Sequence, residues 1–255
     1  TMQHYLDIMY EKSAAAADRE INIKEYFQDK FITEYQSQYK SNNNEHFSSA
    51  EEMREFFEDG VAILDWFKKK RSRYFNKKGT YLVGCELPIV IAPNKMYNNV
   101  LYMGYLDIVT YNERTDTFKI IDIKTSTKGW NSYAKKDENK QFQLLLYKQF
   151  FSQQYNIPLD KIEIEFFIVK RKVLSWDDSN IMSPHQAYRV QTFTPPSGKI
   201  KLNKAKTAIN NFIKECFNSS GNIKERDYSK SPSKWNCTFC PFKEEQELCG
   251  EGIIY

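Results

Sequence analysis

The first third of the chain has apolar residues at helical spacing. Ile23, Phe27 and Phe31 recur every four residues, and the polar run 41–44 interrupts the pattern. The stretch 48–52 (SSAEE) combines serine with glutamate three residues later, a typical start of a helix. The apolar positions of this second helix continue at helical spacing and end in a run of basic residues. The sequence therefore predicts a helical N-terminal region over residues 1–78.

The pattern then changes to β-branched and aromatic residues separated by turn-like stretches, which favours strands. The predicted elements are antiparallel strands over 81–91, 100–110 and 117–124, a helix over 137–155, strands over 161–170 and 186–193, and a helix from about 199 to 217. This order predicts one α/β domain, a central sheet flanked by helices, over residues 79–218. Residues 219–255 form a separate cysteine-containing segment.

Composition limits the class of protein. The chain has 255 residues with 41% hydrophobic and 27% charged residues and a mean hydropathy of −0.67, which is typical of a globular protein. No apolar run approaches the roughly 18 residues needed to span a bilayer. The first residues carry no signal-peptide pattern, so we expect an intracellular protein. Five cysteines are too few for a disulfide scaffold.

Positive charge is concentrated at 68–78 (KKKRSRYFNKK), where seven of eleven residues are basic. Basic side chains interleaved with aromatic ones suit a phosphate backbone and stacked bases. The alternative is the solvated end of a helix, whose C-terminal carbonyls favour cations. The candidate DNA-binding residues here are Lys68, Lys69, Lys70, Arg71, Arg73 and Tyr74.

Two aspartates interrupt apolar strands. If the turn between the strands is 113–116, Asp107 and Asp122 lie directly opposite each other, with Cβ atoms about 5 Å apart. Two carboxylates at that distance cannot both stay ionised without a cation between them, and Mg²⁺ fits such a gap. The alternative is an ordinary edge hairpin with solvated charges. The apolar neighbours of both aspartates favour the metal site.

Two further side chains join this candidate site. Lys124 follows Asp122 by two residues and so shares its face of the sheet, where an ammonium group can orient a water molecule. Glu86 on the preceding strand falls opposite residue 106 or 107 if that hairpin is centred near Met96. A register slip of one residue would turn Glu86 to the other face.

The motifs at 104–107 (GYLD), 120–126 (IIDIKTS) and 143–147 (QLLLY) resemble the PD-(D/E)xK nuclease superfamily. The likeness is strongest to its RecB/AddB-like exonuclease branch. That branch also includes CRISPR adaptation nucleases, a mitochondrial genome-maintenance exonuclease and phage enzymes. The resemblance implies a restriction-endonuclease-like core with a central mixed sheet.

The resemblance also implies roles for individual residues. It makes Asp107 and Asp122 ligands of a divalent metal, with help from the carbonyl of Ile123, and makes Lys124 the residue that orients or activates the attacking water. Glu86 matches an acidic position on the first core strand. The remaining matches are Gln143 and Tyr147, which support the site and touch DNA, and His46, the candidate for a histidine metal ligand.

The C-terminal cysteines resemble a cluster found in AddB and some CRISPR adaptation nucleases. There, three such cysteines and an N-terminal one hold a [4Fe–4S] cluster. The corresponding residues are Cys237, Cys240 and Cys249, with Cys216 or Cys85 as the fourth ligand. A zinc site is an alternative, as is a vestigial motif held by the packing of Trp235, Phe239 and Phe242.

These observations predict a Mg²⁺- or Mn²⁺-dependent deoxyribonuclease. By resemblance, it is a single-strand exonuclease in DNA repair, recombination or phage DNA processing, working in the cytoplasm of a cell or of a phage host. DNA, preferably single-stranded, and a helicase or recombination protein are the expected partners, and a membrane is not. The alternatives are an inactive or partner-dependent nucleic-acid-binding module, a structure-specific endonuclease, and a hydrolase of another class such as a glycosidase.

Overall fold

A computed structural model of the chain describes residues 1–75, 78–97, 99–174, 187–228, 230–238, 240–243, 245 and 249. The helices are α1 (Met2–Glu11), α2 (Ala14–Glu20), α3 (Ile23–Ser41), α4 (Ala50–Lys70), α5 (Ser132–Lys136), α6 (Glu138–Tyr155), α7 (Lys199–Cys216) and α8 (Lys234–Thr238). The strands are β1 (Thr80–Ile91), β2 (Tyr102–Asn112), β3 (Thr117–Ser126), β4 (Ile162–Lys170) and β5 (Val190–Phe193). Single 3₁₀ turns lie at Arg71–Arg73, Lys95–Tyr97 and Leu159–Lys161.

The predicted helical N-terminal region is present, but it contains two short helices before the predicted pair. Ser13 caps α2 by accepting a hydrogen bond from the backbone of Ala16. At α4 the capping box is made by Ser49, whose hydroxyl accepts from the backbone of Glu52, while the Glu52 carboxylate accepts from the backbone of Ser49. The capping residues therefore divide this region into helices.

The sheet has five strands in the order β1-β2-β3-β4-β5. Strands β3 and β4 run parallel, and the other neighbouring pairs are antiparallel. A parallel pair needs a crossover connection, and α5 and α6 lie in the segment between these two strands. The predicted α/β fold, a mixed central sheet flanked by helices, is confirmed.

The helices cover both faces of the sheet. On β4, Phe166 and Ile168 belong to a core cluster with residues of α6 and α7, on what we call the α6 face. Phe167 and Val169 belong to a second cluster with residues of α1 to α4, on the α1 face. Alternate residues of a strand point to opposite faces, so β4 is apolar along both. The N-terminal helices therefore pack directly on the sheet that carries the candidate site.

None of the helices in the described ranges is both long enough and apolar enough to cross a bilayer.

Candidate active site

The β2–β3 hairpin has the predicted register. Ile108 pairs with Ile121, so Asp107 and Asp122 are the next opposed positions. The backbone hydrogen bonds between β2 and β3 end before these two positions. There the Asp107 carboxylate joins the strands instead, because its Oδ2 accepts a hydrogen bond of 2.6 Å from the backbone N–H of Ile123. Asp107 is thus fixed to the strand that carries Asp122.

Asp122 is one of the few buried charged residues of the sheet, with 2% of its surface exposed. The alternation along β3 directs it and Lys124 to the α6 face, where Ile120 is buried. The Lys124 ammonium lies 2.8 Å from Oδ2 of Asp122. Within the described part of the chain, that oxygen nevertheless accepts no hydrogen bond of good geometry. Asp122 therefore retains an oxygen able to bind a further ligand.

The electrostatics of the two aspartates oppose their ionisation. Burial raises the pKa of Asp122 to about 6, since it outweighs the ion pair with Lys124, and the charge of Asp107 adds to the rise. Burial also raises the pKa of Asp107, and the charge of Glu86 adds to the rise. The hydrogen bond from Ile123 acts in the opposite direction but is outweighed. We call Glu86, Asp107 and Asp122 the acidic cluster. A cation placed there would offset the cost of these charges.

Glu86 occupies an irregular position in β1. Cys85 pairs with Ile108 and Leu87 with Leu106, while Glu86 itself has a left-handed backbone with φ of 50°. This conformation is uncommon for a residue other than glycine, and such outliers recur at functional sites. The position opposite Asp107 agrees with one of the two predicted registers.

Helix α1 reaches the acidic cluster through Gln3. The Gln3 side-chain amide donates a hydrogen bond to the Glu86 carboxylate and one of 3.1 Å to the backbone carbonyl of Asp107. The sequence prediction did not include Gln3. A glutamine near the start of a helix carries no signal of its own, and only the packing of α1 on β1 reveals its contact.

Helix α6 presents Gln143 and Tyr147 to this region. The Gln143 amide donates to the Tyr147 hydroxyl at 3.3 Å, and Tyr147 is 6% exposed. Tyr147 packs against Gly104 of β2, where an added Cβ would lie 3.0 Å from its ring. Burial, together with Tyr147 and the charge of Asp122, raises the pKa of Tyr102. The glycine of the GYLD motif therefore leaves room for Tyr147 beside the acidic cluster.

The donor set suits a divalent cation. Mg²⁺ prefers oxygen ligands and is usually held by one or two carboxylates together with water and substrate phosphates. The carboxylates of Asp107 and Asp122 and the carbonyl of Ile123 are such ligands, and the Asp122 oxygen without a hydrogen bond agrees with this use. In the described ranges no group of three or more His, Cys, Asp and Glu side chains is arranged to hold a metal ion. The residues therefore fit Mg²⁺ only with further ligands from water or substrate.

His46 lies in the loop before α4 and packs against α3. Its Nδ1 shares a hydrogen bond of 2.7 Å with the Tyr35 hydroxyl, and its ring stacks on Tyr35 and packs against Tyr39. These contacts join the loop before α4 to the preceding helix. Among the described contacts none joins His46 to the acidic cluster.

The structure brings three of the predicted cysteines together. Cys237, Cys240 and Cys249 line one cavity of about 240 Å³. Neither alternative fourth ligand is among its described lining residues. Phe239 and the side chain of Trp235 lie outside what the structure describes, so the packing alternative falls largely on undescribed residues.

The two candidate fourth ligands have other environments. The carbonyl of Cys216 at the end of α7 accepts hydrogen bonds from the backbone of Lys224 and the Tyr228 hydroxyl. The Cys85 thiol lies 3.8 Å from the carbonyl of Gln3, and burial raises its pKa to about 12, assisted by Asp7. The Cys85 thiol thus contacts helix α1, and Cys85 is not among the described residues that line the cavity of the other three cysteines. An iron–sulfur or zinc site is thus without support from the described residues.

The basic run divides into two parts. Arg71 and Lys68 lie 2.9 and 3.4 Å from the carboxylate of Asp18 in α2, which also accepts a hydrogen bond of 2.7 Å from Tyr5. We call these four residues the Asp18 cluster. Lys69 and Lys70 are exposed at the end of α4.

Beyond the Asp18 cluster the chain turns to another part of the surface. The Arg73 guanidinium lies over the Tyr74 ring, 5.7 Å from its centroid, and that ring packs edge-on against Phe167. Asn76 and Lys77 lie outside the described residues. The basic run is therefore partly structural, whereas Lys69 and Lys70 are exposed where a ligand can reach them.

Comparison with known proteins adds the family. A search of the curated proteins finds no match. Among solved structures, one described as "Crystal structure of SSO0001" is similar at 14% identity and a TM-score of 0.40, covering 87% of this chain and 81% of that one. The family model of the PD-(D/E)XK nuclease superfamily matches residues 4–245, which include the acidic cluster, Lys124, Gln143 and Tyr147. The chain belongs to the PD-(D/E)XK nuclease superfamily.

Proposed function

We propose that the chain is a Mg²⁺- or Mn²⁺-dependent deoxyribonuclease that hydrolyses phosphodiester bonds at the acidic cluster. One observation carries the proposal: in a chain of a nuclease superfamily, Asp107 and Asp122 lie at opposed positions of a hairpin, with Lys124 ion-paired to the buried Asp122. Burial raises the pKa of both aspartates, a typical feature of functional carboxylates.

The residues have separate roles in this reaction. Asp107, Asp122 and the carbonyl of Ile123 would hold the metal ion, which when bound supplies charge neutralisation at the phosphate. The Lys124 ammonium, on the same face as Asp122, would orient the attacking water by hydrogen bonding. The Asp107 carboxylate is kept in position by the backbone of Ile123, and Gln3 positions Glu86. Gln143 and Tyr147 would support the substrate strand from α6.

Single-stranded DNA ends are the substrate we propose, on the resemblance of the motifs to the RecB/AddB-like exonuclease branch. This makes DNA repair, recombination or phage DNA processing the setting, with a helicase or recombination protein as the partner. Exposed basic side chains such as Lys69 and Lys70 support a nucleic-acid substrate.

The experiment is a time course with end-labelled single- and double-stranded DNA, linear and circular, in Mg²⁺, Mn²⁺ or EDTA. Wild type is compared with Asp122→Ala, Lys124→Ala and Lys119→Ala. Lys119 is the matched control because it lies on the same strand but on the opposite face, where it pairs with Glu165 at 2.8 Å. We expect metal-dependent loss of linear single strands with wild type and Lys119→Ala alone.

Each other outcome selects an alternative. Cleavage of circles would show an endonuclease, and binding without cleavage by wild type would favour the inactive or partner-dependent binding module. Wild-type rates in Asp122→Ala and Lys124→Ala would show that the reaction does not take place at the acidic cluster.

A further inference from the structure

A buried lysine lies one strand away from Lys124. Lys170 ends β4, is 4% exposed, and pairs with Ser126, two residues beyond Lys124. With about 3.3 Å per residue and about 4.8 Å between strands, the Cα atoms of Lys170 and Lys124 are roughly 8 Å apart. The alternation that buries Phe166 and Ile168 directs Lys170 to the same α6 face. Lys170 is thus a second cation, besides Lys124, on the same face of the sheet and one strand further from the acidic cluster.

Lys170 helps to line a cavity of about 390 Å³ beside the edge strand β5, which we call the edge pocket. Its other cations are Arg73, from the turn after α4, and Lys135, from α5. Tyr74, Gln191 and Thr192 are among its further lining residues. None of the lining residues that the structure describes is acidic, so three separate elements contribute like charges to one cavity. Its volume falls in the range of about 300–1,000 Å³ typical of small-ligand sites.

The local backbone is built around Lys170. Gly129 has φ of 93°, and an added Cβ there would lie 3.2 Å from both Lys170 Cδ and Gln191 Oε1. The Gln191 amide holds this segment in place, because it accepts from the backbone N–H of Trp130 at 2.8 Å and donates to its carbonyl at 3.1 Å. A larger residue at position 129 would therefore displace the lysine stem.

The cations that line the edge pocket suit an anion. Burial lowers the pKa of Lys170, and the charge of Arg189 adds to the fall. Arg73, Lys135 and Lys170 come from three separate elements to one cavity, and a cavity lined by charges of one sign attracts ligands of the opposite sign. The phosphate of a nucleic-acid strand is the anion that the neighbouring candidate site would bring near.

We propose that the edge pocket binds a phosphate group of the nucleic-acid strand that is cut at the acidic cluster, through Arg73, Lys135 and Lys170. This proposal rests on the nuclease function proposed above. It assigns a binding role to Lys135 and Lys170, which lie outside the basic run 68–78. It also selects Arg73 from the basic run as a residue in contact with substrate, in contrast to Arg71, which pairs with Asp18.

The test measures the binding of a fluorescent single-stranded oligonucleotide by anisotropy, in EDTA and over a series of salt concentrations. We expect Arg73→Ala/Lys135→Ala to weaken binding by about tenfold or more per lost contact. The slope of log affinity against log salt should fall by about 0.7 for each lost phosphate contact. The control Lys136→Ala/Lys206→Ala removes the same charge from exposed positions of α5 and α7 and should leave the slope nearer to wild type.

Lys170→Met keeps the aliphatic stem and should weaken binding in the same way, with circular dichroism confirming that it folds. The two other substitutions are at the protein surface, so they test the proposal even if Lys170→Met fails to fold.

Oligonucleotides with a 5′-phosphate, a 3′-phosphate or neither distinguish the source of the phosphate. A terminal phosphate is bound if its affinity advantage disappears in Arg73→Ala/Lys135→Ala, and an internal phosphate is bound if all three probes weaken equally. Binding by that double variant equal to the control, with an unchanged salt slope, would overturn the proposal. Because binding is measured in EDTA, a wild type that binds through the edge pocket but does not cleave would contradict only the nuclease function.

Discussion

Helix α1 contacts carboxylates at two places, the Asp18 cluster and the acidic cluster, and the energetics of Asp18 and Asp122 are opposite. In the Asp18 cluster, burial acts to raise the pKa of Asp18, but the hydrogen bond from Tyr5 and the charges of Arg71 and Lys68 outweigh it and lower that pKa. In the acidic cluster, burial raises the pKa of Asp122 to about 6, and Lys124 does not compensate. One carboxylate is more stable as an anion in the fold than in water, and the other is less stable.

The difference separates a charge that stabilises the fold from one whose burial is unfavourable, as we expect for a proposed metal ligand. Asp18 joins α2 to α4 and to the turn after it, and its charge stabilises the packing of the N-terminal helices. The charge of Asp122 costs the fold free energy, because its burial outweighs the ion pair with Lys124 and raises its pKa. Proteins retain such a cost where a ligand offsets it, as a metal ion would here.

The largest expected effect in the comparison of Asp122 with Asp18 is on the rate of DNA cleavage. We expect Asp122→Asn to reduce the rate of metal-dependent DNA cleavage by about 10³-fold or more, because it removes a carboxylate that would hold the metal ion, and the charge neutralisation that the ion would supply at the phosphate is lost with it. In EDTA its free energy of unfolding should rise by about 1 kcal/mol, because the buried charge is removed while the shape is kept. Single-turnover cleavage and urea denaturation measure the two quantities.

Asp18→Asn is the matched control for Asp122→Asn, since it makes the same chemical change in the other group. It should lower stability and leave the specific activity of the folded protein near wild type. If Asp122→Asn is the less stable variant, or if both variants lose cleavage equally, the two aspartates do not differ as we infer.

Metal binding provides the next largest effect. Mg²⁺ at about 100 times its dissociation constant should raise the free energy of unfolding by about 2.7 kcal/mol, because it binds only the folded state. Asp18→Asn should keep this increment, and Asp122→Asn should lose it. Urea denaturation with Mg²⁺ or EDTA measures the difference, and an equal increment in both variants would show that the ion binds elsewhere.

The part of the candidate site that could be predicted is the part made by local geometry. A short turn sets the register of β2 and β3, so the opposed positions of Asp107 and Asp122 follow from counting residues, and the structure has that register. Period-2 alternation places Lys124 with Asp122, and helical spacing places Gln143 with Tyr147, where the hydrogen bond between them is found. The mixed sheet with flanking helices followed from the order of the elements.

What could not be predicted depends on packing between distant segments. Gln3 contacts Glu86 across 83 positions of sequence, and the pairing of Asp18 with Arg71 also joins remote helices. His46 is a case in which packing disagrees with the sequence. The resemblance made it a candidate metal ligand, but its ring packs against Tyr35 and Tyr39 of α3. Spacing within an element is visible in a sequence, whereas the choice of neighbouring helix is not.

The stability of the Asp18 cluster gives a smaller effect. Asp18→Asn should lower the free energy of unfolding by about 2 kcal/mol, because it leaves the half-buried Arg71 without its charged partner and weakens the hydrogen bond from Tyr5. Urea denaturation at neutral pH measures the loss. The exposed Asp65 on α4 provides a control, since Asp65→Asn should have little effect. Equal losses of unfolding free energy in Asp18→Asn and Asp65→Asn would show that the charge of Asp18 has no special structural role.

The smallest effect is the pH dependence of that loss. The pKa of Asp18 is lowered in the folded protein, whereas an unfolded aspartate has a pKa of about 3.9. The charge of Asp18 therefore contributes its full stability above the unfolded pKa, and the contribution decreases as the pH falls through the folded pKa. We expect the difference in unfolding free energy between wild type and Asp18→Asn to be constant above about pH 5 and to shrink below about pH 4. A difference that grows on acidification would mean that the pKa of Asp18 is raised, as it is for Asp122, and the two carboxylates would no longer differ in kind.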